Sequence, residues 1–287
     1  MGLFLQVLLD GLWSGLLYGL IAAGLSLIWG VLDIINFAHG EFLMAGMYVS
    51  FFLGFLFKID PLVSWIASAA FLFLLGVVTY KFVVKRTLGK AMAPLLATFG
   101  LSMVIKNFAM NRFTPNFRIL SGTIMEGKVI SLGQGAVMIP VPNLVTALFS
   151  LVVLGLLYWM LTRTRFGWAV QATAMDVEAA RLMGVNTGRI FILVFGIGGA
   201  CVGVAAGLLP SYLATHPDVG SLFGLIAFMV VAMGGFGSIP GALLAAILIG
   251  LIESFAGFYI APVFKYVAVF GVYLLVIMIR PKGLFGW

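Results

Sequence analysis

Charged side chains are scarce: Asp, Glu, Lys and Arg make up 9% of the 287 residues, while 63% are hydrophobic and the mean hydropathy is +1.21. A chain so composed cannot cover itself with polar surface, so its solvent is largely lipid. That excludes soluble enzymes and nucleic-acid modules. The net charge of +7 follows from basic loops around membrane spans, because no soluble face interleaves basic and aromatic residues. The single Cys201 lies in a Gly- and Ala-rich run, which excludes a disulfide or thiolate-metal framework and leaves a small packing residue. Two histidines, His39 and His216, stand on separate segments without a paired zinc spacing, and there is no serine elbow. No catalytic or metal residues are expected, and the chain reads as a non-enzyme. A phosphate-binding run of Gly, four residues, Gly, Lys and Ser or Thr is also missing; its nearest fragment, Gly89–Lys90, lacks the upstream glycine and the hydroxyl. If ATP is used, it is hydrolysed in another polypeptide.

What is present is a series of long apolar runs. The first spans Leu12–Leu32, with Asp10 before it and no Lys or Arg, unlike a signal peptide. Further runs cover Leu43–Phe57, Leu62–Tyr80, Pro94–Ala109, Leu144–Leu161, Ile190–Leu213, an interrupted stretch from Leu222 to Ala256, and Val263–Ile279. Each approaches the roughly 20 residues needed to cross a bilayer. The expected fold is therefore an all-α integral membrane protein, a single domain over 1–287, with about eight transmembrane helices. The basic cluster Lys81, Lys85, Arg86 and Lys90, the loop 163–189 and the tail Arg280–Gly286 share one side by this count. The positive-inside rule makes that side cytoplasmic and the polar segment 111–142 extracytoplasmic.

The loop 163–189 is the most water-compatible piece between two apolar runs, with six charged residues. Trp168, Ala172, Met175, Ala179 and Leu182 recur at spacings of four and three, the period of an apolar helical stripe, opposite Gln171, Asp176, Glu178 and Arg181. We expect one short amphipathic helix, ended by a left-handed Gly184 and followed by a helix capped by Asn186 or Thr187. Such helices often lie on lipid headgroups.

Two interruptions break the apolar runs: Asn36–Glu41, with His39 inside it, and the glycine stretch Gly234–Gly241, with Gly235 and Gly237. Backbone that is not helical survives at membrane depth only inside protein or along a wet cavity. Transporters place binding sites at broken helices in equivalent positions of two halves. Asn36, His39, Glu41, Gly234, Gly235 and Gly237 are thus expected to line a substrate pathway, in a fold compatible with an inverted repeat of two halves. A short surface loop and an ordinary tight turn are the plainer readings of the two stretches.

Glu178, Ala179, Ala180, three residues and Gly184 resemble the EAA loop of ABC-importer permeases, although Val194–Ile197 replaces the longer pattern's Ile and Leu-Pro. The run Asp33–Glu41, with Ala97–Ser102 and Asn107, the loop 165–186, Met233–Gly241 and the Arg280–Gly286 tail, resembles the branched-chain amino-acid ABC permeases of the LivH type over nearly the whole chain. The resemblance implies a permease subunit of the bacterial inner membrane that moves branched-chain amino acids. It implies partners as well: a related or identical second permease, two ATPase subunits that bind ATP and Mg, and an extracytoplasmic solute-binding protein. In that picture Asp176, Glu178, Ala179, Ala180, Arg181 and Gly184 couple to the ATPase. The same architecture serves urea and short-amide importers. Asp33, His39 and Glu41 would also suit an ion-coupled secondary transporter, whereas a non-transporting scaffold leaves the interruptions unexplained.

Overall fold

A computed structural model describes residues 2–90, 92–132 and 137–285, so positions 133–136 of the segment 111–142 and Gly286 of the tail lie outside the described residues. The chain forms α1 (Gly2–Leu32), α2 (His39–Phe57), α3 (Pro61–Phe82), α4 (Ala93–Phe113), a hairpin of β1 (Val129–Leu132) and β2 (Val137–Pro140), then α5 (Val141–Arg163), α6 (Arg165–Met175), α7 (Val177–Leu182), α8 (Thr187–Leu208), α9 (Val219–Gly234), α10 (Ile239–Tyr259) and α11 (Lys265–Ile279). Eight segments are long and apolar enough to cross a bilayer, and α9 is a shorter apolar helix. The protein is an all-α, multi-pass membrane protein. Among the described residues it also carries a short hairpin, with Val129 opposite Pro140 and Leu132 opposite Val137.

Glycine decides how the central helices meet. Gly11, Gly15 and Gly19 recur every four residues on α1, and a methyl group on Gly11 or Gly15 would lie 2.9 Å from Leu251 Cα or 2.7 Å from Ile247 Cα of α10. Gly199, Gly203 and Gly207 repeat the spacing on α8 against α3, where a methyl on Gly203 would lie 2.5 Å from Ala69 Cα. Small residues one turn apart let backbones touch where lipid supplies no hydrophobic drive for association. In both pairs the helices run antiparallel, since rising numbers on one meet falling numbers on the other.

These pairs set out two units, α1–α3 and α8–α10, each exchanging its outer helix with the other's first. The units share further details. Gly40 in the first turn of α2 packs on Gly220 in the first turn of α9. Asp60 caps α3 through the Leu62 amide, with Pro61 following; Ser238 caps α10 through the Gly241 amide, with Pro240 following. The repeat corrects one expectation. The counterpart of the break after α1 is the segment 209–218 after α8, whereas Gly234–Gly241 matches the tight turn Phe57–Pro61.

Two ends can be distinguished. At one, Met138 N–H donates to Gln6, Ile124 N–H to Asp60 and Arg118 N–H to Thr215, so the start of α1, the α2–α3 turn, the described residues of the segment 114–140 and the segment after α8 lie together. At the other lie the end of α1, the turn 235–238, the tail, α6 and α7. This second end carries the basic loops and is called the basic end below.

Candidate functional site

The break after α1 is not a surface loop. Asp33 leaves α1 with φ of 53°, residues 33–36 run without regular structure, and Phe37–Ala38 turn into α2. The His39 Nε2–H donates to the Ile21 carbonyl at 2.9 Å. Ile21 lies eleven residues before the end of α1, about 16 Å along the helix axis at 1.5 Å per residue. The chain therefore climbs back about half the bilayer thickness before α2 begins. Asn36 and Thr98 hold the ascent: Asn36 Oδ1 accepts from Ala38 N–H, while Thr98 Oγ1 accepts from Phe37 N–H and donates to the Ile35 carbonyl. Glu41, expected within the break, sits instead in the first turn of α2.

Around this point lies a cavity of about 250 Å³, lined among others by Asn36, His39, Glu41, Ser102, Gly220 and Phe228. Asn36, His39 and Glu41 are 2%, 2% and 6% exposed. Each keeps one buried polar atom without a protein partner: Asn36 Nδ2, His39 Nδ1 and Glu41 Oε2. The two helices that start here, α2 and α9, have no side-chain cap. Their dipoles present partial positive charge to the cavity. Phe37 stands edge-on to Phe99 at 6.0 Å and stacked on Phe228 at 6.1 Å, giving one apolar wall.

Sequence reasoning left Ser102, Ser221 and Phe228 out of this site, and Lys106 beside it. A signal was available: Thr98, Ser102 and Lys106 recur every four residues along one face of α4, and Lys106 Nζ meets Asp218 at 2.7 Å and Ser221 Oγ at 3.0 Å. His216 stays apart from the cavity, its ring 4.5 Å from Phe117. Burial lowers its pKa against the opposing pull of Asp218.

Gly234, Gly235 and Gly237 do not reach the cavity. They lie at the basic end, where a methyl on Gly237 would lie 3.0 Å from Gly30 Cα of α1. The tail closes over them: Gly283, with φ of 83°, turns the chain so that Leu284 N–H donates to the Met233 carbonyl and Phe285 N–H to the Gly234 carbonyl. These bonds satisfy the last carbonyls of α9, which have no helical partner. Deleting residues 284–287 removes both. At 0.5–1.5 kcal/mol per bond it should lower stability by about 1–3 kcal/mol, read as a lower melting temperature in detergent; an unchanged melting curve would show that the tail does not hold the turn.

The loop after α5 folds as two helices, not one. Asp176 breaks the run and caps α7, accepting from the Glu178 and Ala179 amides at 2.8 and 2.9 Å. Gly184, at φ of 85°, ends α7, and Val185 N–H donates back to the Ala180 carbonyl in the expected left-handed cap. Asn186 caps α8 through the Arg189 amide. Of the six residues expected to couple, Glu178, Ala179 and Gly184 lie on the outer face, while Ala180 is buried beneath them. Asp176 serves as the cap, and Arg181 Nε donates to Thr187 Oγ1 at 2.8 Å, tying α7 to α8. The apolar stripe points away from the bundle: Trp168, Met175, Leu182 and the adjoining Met183 are 59%, 89%, 90% and 84% exposed.

Comparison with known proteins gives a consistent result. A family model described as branched-chain amino acid transport system / permease component matches residues 7–279. The high-affinity branched-chain amino acid transport system permease protein BraD of Pseudomonas aeruginosa is 34% identical over 99% of this chain and 96% of its own length. The corresponding LivH of Escherichia coli K12 is 30% identical over the same shares. Among solved structures, PsaBC from Streptococcus pneumoniae in complex with Fab aligns with a TM-score of 0.53 over 98% of this chain and 94% of that one; at 13% identity it is a likeness of fold.

Proposed function

The chain belongs to the family of branched-chain amino acid transport permease components, and from that premise we propose that it is the membrane subunit of an ABC importer that carries apolar amino acids across the cytoplasmic membrane. The observation that carries this reading is the outer face of α6 and α7. Four large apolar side chains stand exposed on a polar loop, a patch of the kind that marks contact with protein or membrane, and we take it as a protein-docking surface. With no phosphate loop in the chain, the partner that covers this face is an ATPase. The basic end is then cytoplasmic, in agreement with the positive-inside rule, and the segment 111–142 meets a solute-binding protein outside. A second permease, related or identical, completes the path.

Mechanically, α7 is bonded to the start of α8 through Arg181 and Thr187, and α8 lies backbone to backbone on α3. Closure of the ATPases would move α6 and α7, and the rigid α8–α3 pair would carry that displacement to the cavity at Asn36, His39 and Glu41. A two-state shift of packed helices suits this role, because packed cores move between discrete arrangements. The glycines of the 234–241 turn act as the fixed point where α1, α9, α10 and the tail join.

The test is reconstitution in liposomes with candidate ATPases, the second permease and the binding protein. Uptake of labelled L-leucine should require every subunit and hydrolysable ATP. Uphill uptake by this chain alone, without nucleotide, would overturn the reading, and uptake of urea in place of leucine would overturn the cargo.

A further inference from the structure

From the cavity at the α2 and α9 N-termini we infer that the permease itself holds the zwitterionic head of its amino acid at mid-membrane, with Glu41 taking the ammonium and Asn36 with the uncapped helix starts taking the carboxylate. This deepens the importer reading and rests on it. The argument begins with the atoms left without partners. His39 Nε2 faces a carbonyl, which only accepts, so Nε2 carries the proton and Nδ1 presents a lone pair. Glu41 Oε2 is a second free acceptor, and Asn36 Nδ2, whose Oδ1 is already used by Ala38 N–H, is a free donor. All three residues line the same cavity.

Free buried polar atoms are costly, by about 1–3 kcal/mol each and more for charged groups. Two acceptors beside a donor and two positive helix ends match what an α-amino acid offers: three ammonium protons next to two carboxylate oxygens. Glu41 belongs to neither ion pair found among the described residues, since Lys106 pairs with Asp218 and Lys265 with Glu253. Its carboxylate is also seated with care. A methyl group on Gly220 would lie 2.6 Å from the Gly40 carbonyl oxygen and 2.8 Å from Glu41 Oε2, so glycine there lets the α2 backbone approach the start of α9 and brings the Glu41 carboxylate with it.

The remaining lining selects the rest of the molecule. Phe37, Phe99, Phe228, Leu25 and Leu225 supply the apolar part of the cavity lining. The volume, about 250 Å³, falls below the roughly 300 Å³ at which sites for drug-sized ligands begin. A small amino acid with an aliphatic side chain fits both the chemistry and the size. A carboxylic acid without an amine leaves Glu41 uncompensated, and an amine without a carboxylate leaves the donors unused.

The experiment uses the complex of this chain with its second permease and ATPases in nanodiscs, without binding protein, with L-leucine as the probe and saturation-transfer NMR as the readout. Wild type should show saturable transfer that L-isoleucine displaces, while 4-methylpentanoate and 3-methylbutylamine displace it at least tenfold less well. Glu41→Gln should weaken binding about tenfold or more, the worth of one hydrogen bond to a charged group, with the elution profile of the complex retained. Phe228→Trp, which fills the cavity without touching a charge, should abolish binding, and it serves if Glu41→Gln fails to assemble. Equal binding by Glu41→Gln, or equal competition by the acid lacking an amine, would overturn the site. Leucine uptake by the full wild-type system is measured alongside. Uptake with no binding of leucine in the cavity sinks the site and leaves the importer, whereas no leucine uptake sinks the importer first.

Discussion

Replacing Met175 and Leu182 together by aspartate should abolish co-purification of the ATPase subunits and with it ATP-dependent uptake, while the permease elutes and melts as wild type. Both side chains are about nine-tenths exposed and neither belongs to the buried core of the protein, so the free permease gains solubility and loses no packing. An interface built on them loses two apolar anchors and must bury two carboxylates. Each anchor can contribute 2 kcal/mol or more, and unpaired buried charges add to the loss. A weakening of more than a hundredfold is the combined expectation, enough to empty the complex at micromolar concentrations. Pull-down with tagged ATPase and a titration by light scattering read it directly. Glu178→Lys and Gly184→Trp probe the same face: the first changes only rim charge and should act mainly on salt dependence, while the second also strains a residue held at φ of 85°. Intact association in the double aspartate variant would mean that the ATPase docks elsewhere.

The outer face of α6 and α7 also shows what is legible in the sequence alone. The 4-3 spacing of Trp168, Met175 and Leu182 announced a stripe, and Gly184 announced its end. The direction of the stripe was not legible, because periodicity says which side chains share a face and nothing about what that face meets. Asp176 was read as a polar contact residue; its place as a cap needed the bend between α6 and α7. The spans were recoverable from hydropathy because lipid demands about twenty apolar residues in a row. The hairpin at 129–140 was hidden because four-residue strands in a Gly- and Pro-rich loop leave little pattern. At the cavity, Asn36, His39 and Glu41 drew notice as polar groups in a hydrophobic run. Ser102 and Lys106 escaped because each is a single polar residue in an ordinary span, and only their four-residue spacing on one helix places them together. The two interruptions are not equivalent positions of the repeat, because a break in an apolar run does not say at which end of a span it falls. Gly11, Gly15 and Gly19 against Gly199, Gly203 and Gly207 supply the alignment that the richer Gly234–Gly241 stretch obscured.

That alignment leads to the second large effect. Gly203→Leu should destroy the α8–α3 contact, whereas Gly271→Leu on α11 should leave the protein as stable as wild type or slightly more so. A methyl group at Gly203 already meets Ala69 Cα at 2.5 Å and the Ser68 carbonyl oxygen at 2.8 Å. Both are backbone atoms, which cannot rotate aside, so the helices must separate along their whole shared length. The cost exceeds the roughly 1–3 kcal/mol of ordinary overpacking, because separation also removes the contacts of Gly199 and Gly207. Near Gly271 nothing lies within 4 Å, and replacing a helical glycine by leucine gains somewhat under about 1 kcal/mol of propensity. Thermal unfolding in detergent, followed by loss of the monodisperse peak, separates the two variants. Gly203→Ala is the graded case: it should melt below wild type yet still assemble, and in that variant ATP hydrolysis should persist while uptake falls, because α8 joins the Arg181–Thr187 contact at its start to the seam with α3 along its length. If Gly203→Ala kept wild-type uptake at a reduced melting temperature, the α8–α3 seam would serve stability alone, and the transmission of movement would have to run through α1 and α10.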